Sequence, residues 1–164
     1  MLKIVFGIAI VIFSTACGYY LAKKYRQRRH FLRQLREFNE QFINEISYYR
    51  RPIKDFLSIH PFEGEFQGFL QEYARVLNET NQEAQGILNL SNYTFLRENE
   101  KVDIIDYFMM LGKGDSHSQK SYFFSMRERL AKREQEAVDE GNRYENLYIK
   151  LGFLCGLFIL ILII

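Results

Sequence analysis

Cysteine and proline are both scarce, two of each in 164 residues. The two cysteines, Cys17 and Cys155, sit inside the two most apolar stretches, so a disulfide scaffold stapling a soluble core is excluded. Histidine is nearly as thin, and His30, His60 and His117 stand far apart with none of the paired spacings of a zinc site. Glycine forms no phosphate-cradling loop: Gly112-Lys113-Gly114 is too short and reads as a turn. No stretch alternates apolar and polar residues for long, which argues against a sheet. Charge of one sign is not in excess either, since 22 Lys plus Arg face 20 Asp plus Glu, and bulk charge makes no case for nucleic acid. Asp103 and Asp106 can share a helix face, yet without histidine, metal ligands or a nucleophile they read as solvated charges. With Asp115 they are the material for a membrane enzyme, and alanine replacement of all three tests that class. No catalytic, cofactor or metal site is expected, and no small-molecule substrate.

What the chain has instead is two hydrophobic ends. Residues 4–22 are apolar apart from Ser14, Thr15, Tyr19 and Tyr20, and meet the length of about 20 residues that crosses a bilayer core. Residues 151–164 are wholly apolar, and Tyr148 and Ile149 extend them around Lys150, which can snorkel to the headgroups. Ahead of Glu37, the first acidic residue, come Lys3, Lys23, Lys24, Arg26, Arg28, Arg29, Arg33 and Arg36. All but Lys3 follow the first apolar run, so the positive-inside rule places the middle of the chain in the cytosol and both termini outside. A rival is an exported lipoprotein, with Ser14-Thr15-Ala16 preceding a modified Cys17; the basic cluster directly after the run opposes export. A second rival, a buried core helix at residues 151–164, is opposed by the lack of any polar face.

The expected architecture is all-α, a membrane-anchored helical bundle: transmembrane helix 1 over residues 1–22, a cytosolic helical domain over 23–148, and transmembrane helix 2 over 149–164. Phe31, Leu32, Leu35, Phe38, Phe42, Ile43, Ile46 and Tyr49 keep three-and-four spacing on one long helix that Pro52 stops. Pro61 makes a second break, followed by Phe62, Phe66, Phe69, Leu70, Tyr73 and Leu77 at helical spacing. A third segment carries Ala84, Ile87, Leu88 and Leu90 toward Phe95. A fourth, from Glu98, puts Val102, Ile105, Tyr107, Phe108 and Leu111 on its buried side. Asp115 suits the N-cap of the last helix, which runs through Tyr122, Phe123, Met126, Leu130, Ala137, Tyr144 and Leu147 toward the second apolar end.

Two surfaces follow from spacing. Arg29, Arg33 and Arg36 lie four and three residues apart on one helix face, fit for a protein partner or for anionic lipid. Ser14 and Gly18, and again Gly152 and Gly156, form small-x-x-x-small steps one turn apart, at matching depth from Lys23 and Lys150, so an antiparallel hairpin would bring them level.

Particular residues also carry a resemblance. Arg33-Gln34-Leu35, Glu45-Ile46, Pro52-Ile53, Leu111-Gly112 with Asp115 and Gln119, and above all Leu151-Gly152-Phe153-Leu154 with Gly156 resemble the stage III sporulation protein AB family of endospore-forming bacteria. Cys155 stands where members often have glycine, and Pro52-Ile53 replaces a Pro-Leu pair. The resemblance implies a non-enzymatic subunit of the channel between mother cell and forespore, in the mother-cell membrane around the forespore. It implies a fold similar to the cytosolic domains of the type II secretion F platform protein. It further implies docking of the stage III sporulation protein AA ATPase and contact with other channel subunits.

Overall fold

Helices make up every regular element of the structure, a computed structural model that describes residues 2–49, 53–59, 61–79, 89–111 and 116–163. Helix α1 covers Leu2–Asn44, and its end widens into a π-helical turn at Glu45–Tyr49. Then come α2 (Ile53–Ile59), α3 (Gly64–Glu79), α4 (Glu98–Met110) and α5 (Ser116–Ile163). α1 is unbroken where neither glycine nor proline interrupts residues 19–49, and α1 and α5 are each long and apolar enough to cross a membrane. Pro52 and Asp115 lie outside the described residues.

The chain forms two compact units: Met1–Arg29 with Gln135–Ile164, and His30–Glu134. The first therefore includes, beyond the apolar runs, the basic residues 23–29 and the segment 135–150.

The second unit is built around aromatic rings. Phe38 of α1 is fully buried, with ring centroids 5.3 Å from Phe56, 5.4 Å from Phe108 and 5.8 Å from Phe62. Phe42 meets Phe123 edge-on at 4.9 Å, and Phe69 meets Phe108 at 4.7 Å. Edge-to-face pairs of this kind contribute about 0.5–1.5 kcal/mol beyond the area they bury. The helical spacing of these residues produces the core, because positions three and four apart share one face.

Buried polar groups tie the helices together, although the buried Gln41 Oε1 has no hydrogen-bond partner among the described residues. The Tyr107 hydroxyl donates to Asn39 Oδ1 at 2.9 Å, and Asn39 Nδ2 donates to the Phe123 carbonyl at 3.2 Å, tying α1 to α4 and α5. The Tyr73 hydroxyl donates to the Phe108 carbonyl near the end of α4, where carbonyls lack helical partners. Gln34 Oε1 accepts the Glu63 N–H and its Nε2 donates to the Glu63 carbonyl, so one side chain fixes the backbone just before Gly64, whose φ of +59° favours glycine.

Two local expectations differ. Tyr107, Phe108 and, just after α4, Leu111 are buried as expected, but Val102 is 57% exposed and Ile105 only half-buried, while Glu100 and Ile104 turn inward, the face that three-and-four spacing generates from Glu100. The Arg97 N–H donates to the Glu100 carboxylate at 3.0 Å, which holds that charge at the helix start and sets the face. The described part of the third segment, residues 89–97, is a run of turns. There the Asn89 side chain accepts the Ser91 N–H at 2.9 Å, an alternative to helical bonding.

Candidate functional site

In the first unit α1 and α5 run antiparallel along a seam of small residues. A methyl group on Gly18 would lie 2.5 Å from the Tyr148 carbonyl oxygen; one on Gly152, 2.7 Å from the Ser14 carbonyl oxygen; one on Gly156, 2.8 Å from Val11 Cα. Each distance is shorter than a real side-chain carbon tolerates, so the approach requires glycine. The Ser14 hydroxyl donates across the seam to the Gly152 carbonyl at 2.6 Å. Ser14, Gly18, Gly152 and Gly156 are thus brought together. At Gly7 the neighbour is the end of the Leu160 side chain, which can turn aside, so the backbone contact is made by Gly18, Gly152 and Gly156. Outside the seam Phe13, Leu154, Phe158 and Ile161 are exposed apolar side chains, and Cys17 and Cys155 are free thiols.

Beyond the apolar stretch the same two helices are joined by charge and by rings. Arg28 donates to Glu140 at 2.7 Å with its own side chain buried, and Arg26 and Arg29 converge on Glu145. Tyr25 stacks on Tyr144 at 5.5 Å and on Tyr148 at 5.8 Å. Burial and the neighbouring Tyr148 push the Tyr25 phenol up to about 12.

In the second unit Arg33 pairs with Glu37 on its own helix at 3.0 Å, while Arg36 is engaged by Glu134 and, at 3.9 Å, by Glu40. Each of the three arginines of the basic stripe therefore has a carboxylate partner within the chain. Gln119 is half-buried on α5, and Pro52 and Asp115 fall outside the described residues. Asp103 departs from the solvated reading: Arg133 at 2.9 Å and Arg129 at 3.2 Å both bind it, joining α4 to α5. A groove beside this pair is lined by Asp103, Asp106, Met109, Met110, Tyr122, Met126 and Arg129. Burial, then Asp106, raises the Tyr122 phenol there, with Arg129 opposing. Among the described residues no group of three or more His, Cys, Asp or Glu side chains is placed to hold a metal ion.

Sequence reasoning missed Glu140, Glu145 and Glu134 as partners of the basic cluster. Their helical period gives no signal, because the pairing depends on the register of α1 against α5. The one available clue is that acidic residues return in α5 at about the same distance from the apolar run as the arginines of α1.

No curated protein and no solved structure matches the chain. The family model described as stage III sporulation protein AB matches residues 3–164, and the chain therefore belongs to the stage III sporulation protein AB family.

Proposed function

We propose that this sporulation protein is a non-enzymatic platform subunit of the channel between mother cell and forespore, anchored by α1 and α5 in the mother-cell membrane around the forespore. Its His30–Glu134 unit lies in the cytosol and docks the stage III sporulation protein AA ATPase. The observation that carries the reading is the family match over nearly the whole chain, joined to two long helices whose apolar ends expose their side chains. An adaptor role suits a unit whose buried polar groups are spent on tying helices together, as Asn39, Tyr107 and Gln34 are.

Topology is tested by single cysteines at Lys3 and at exposed Gln71 in a chain with Cys17 and Cys155 changed to serine. An impermeant maleimide applied to protoplasts of non-sporulating cells that express the chain in their cell membrane is expected to label position 3 and spare position 71; the reverse pattern overturns the orientation. Docking is tested by co-purifying the ATPase with the full chain from membranes in mild detergent. Within the basic stripe Arg33 is the informative position, because Arg36 is held by Glu134 and Glu40 and its reversal would disturb the unit itself. Loss of ATPase retention in Arg33→Glu with an unchanged melting temperature supports a contact there. Failure of the wild-type chain to retain the ATPase removes the docking role.

A further inference from the structure

We infer that the first unit carries a binding surface for anionic phospholipid headgroups, formed by Lys23, Lys24, Arg143 and Lys150. The inference rests on the membrane anchoring proposed above and names its lipid chemistry. Residues 19–29 of α1 and 140–150 of α5 hold seven cations against two carboxylates. The structure sorts these charges. Glu145 takes Arg26 and Arg29, and Glu140 takes Arg28. Lys23, Lys24, Arg143 and Lys150 remain, all exposed and none with a carboxylate partner among the described residues. Both negative charges of the band are consumed internally, so what faces outward is positive from both helices.

Depth assigns the ligand. Gly18 lies against Gly152 and Tyr25 against Tyr144 and Tyr148, so Lys150 stands close to the level of Tyr20, and Lys23 and Lys24 close to that of Leu147. From Lys150 to Arg143 the band rises about 10 Å at roughly 1.5 Å per residue, within reach of a headgroup layer by snorkelling side chains. The same band holds Tyr19, Tyr20, Tyr25, Tyr144 and Tyr148, the aromatic type enriched at membrane interfaces. The Lys24 ammonium lies 5.1 Å from the Tyr25 ring centroid and the Arg143 guanidinium 5.4 Å from that of Tyr144, which positions each cation beside an interfacial ring. Phosphate-bearing lipid is the anion present all round a hairpin at this depth, and each cation near a membrane surface strengthens its attraction.

The full chain reconstituted in phosphatidylcholine vesicles containing phosphatidylglycerol gives the test, with electron paramagnetic resonance of spin-labelled lipids reading which headgroup is immobilised beside the protein. The wild-type chain is expected to prefer phosphatidylglycerol several-fold at low ionic strength. Preference should fall toward parity in a variant combining Lys23→Gln, Lys24→Gln, Arg143→Gln and Lys150→Gln. It should survive in one combining Lys23→Arg, Lys24→Arg, Arg143→Lys and Lys150→Arg, and in Lys132→Gln. An unchanged preference in the glutamine variant, or none in the inserted wild-type chain, overturns the inference. Should the glutamine variant fail to insert, a salt series on the wild-type chain decides, since a preference indifferent to salt is not a surface charge effect. Inorganic phosphate that competes better than chloride at equal ionic strength would mean a discrete phosphate pocket and also overturns it. Wild-type chain stripped from vesicles by alkaline carbonate would remove the anchored reading and this inference together, whereas an anchored chain without preference removes the inference alone.

Discussion

The two units hold their helices together by opposite means. In the first, α1 and α5 approach through glycine, with backbone against backbone and the large side chains turned outward. In the second, the helices are kept apart by rings that fill the space between them, with Phe38 at the centre. With the first unit anchored in a membrane as proposed, the difference follows from solvent. Water drives Phe and Tyr inward, but lipid is as apolar as they are, so helices in a membrane gain chiefly from close contact and from hydrogen bonds. A serine donating to a glycine carbonyl matters in one setting, and a buried aromatic cluster in the other.

The largest effect is expected of Phe38→Ala. Emptying the middle of the aromatic core is expected to cost about 3–5 kcal/mol. Denaturant unfolding of the full chain in nanodiscs, followed by circular dichroism, should show the loss, while a short-linker crosslink between cysteines placed at Tyr25 and Tyr144, whose rings stack at 5.5 Å, still forms. A loss below about 1 kcal/mol would mean that rings are not what holds this unit.

Gly156→Leu attacks the other side. A side chain here meets Val11 Cα and the Ser14 side chain, neither of which can retreat, and overpacking of this sort costs about 1–3 kcal/mol. Crosslinking between cysteines at positions 25 and 144 should fall in native membranes while the unfolding midpoint of the second unit holds, and Leu157→Val should leave both unchanged.

A smaller effect is expected of Tyr107→Phe, which removes one buried hydrogen bond to Asn39 worth about 1 kcal/mol. Burial raises the Tyr107 phenol well above its ordinary value. A folded-state pKa above the unfolded one makes this stabilisation complete below about pH 10 and lost as pH rises beyond it. The gap between wild type and Tyr107→Phe should therefore narrow in alkali, as urea titrations at pH 8 and above about pH 10 would report.

Ser14→Ala should do least, about 0.6 kcal/mol, the average worth of a hydrogen bond between membrane helices. Crosslinking yield between cysteines at positions 25 and 144, followed against temperature, is the measurement that checks it. A loss as large as that of Gly156→Leu would mean that the hydroxyl, and not close approach, carries the seam.

Much of this contrast was legible residue by residue. The stripe from Phe31 to Phe42 announced itself through its period, and those residues are the wall of the core contributed by α1. Ser14, Gly18, Gly152 and Gly156 stood out because small residues one turn apart are the means by which helices meet closely, and the two backbones do approach closely there. Less legible was α4, where period alone did not choose between Val102 and Ile104. The carboxylate of Glu100, folded back onto the Arg97 N–H, settles which face turns inward. Arg29, Arg33 and Arg36 read as one exposed stripe because a single helix shows spacing and conceals partners.

Properties that depend on neighbours along the chain were thus determined by sequence alone: where helices run, which ends are apolar, where charge accumulates. Pairing across the fold was decided only by tertiary structure. Arg28 finds Glu140 and Asp103 finds Arg133, while Lys23, Lys24, Arg143 and Lys150 are left without carboxylate partners among the described residues. The physical reason is register. Two antiparallel helices can slide past one another without changing either one's own pattern, and the stop is made by contacts such as Gly18 on Gly152 and Tyr25 on Tyr144, which exist only once both helices are in place.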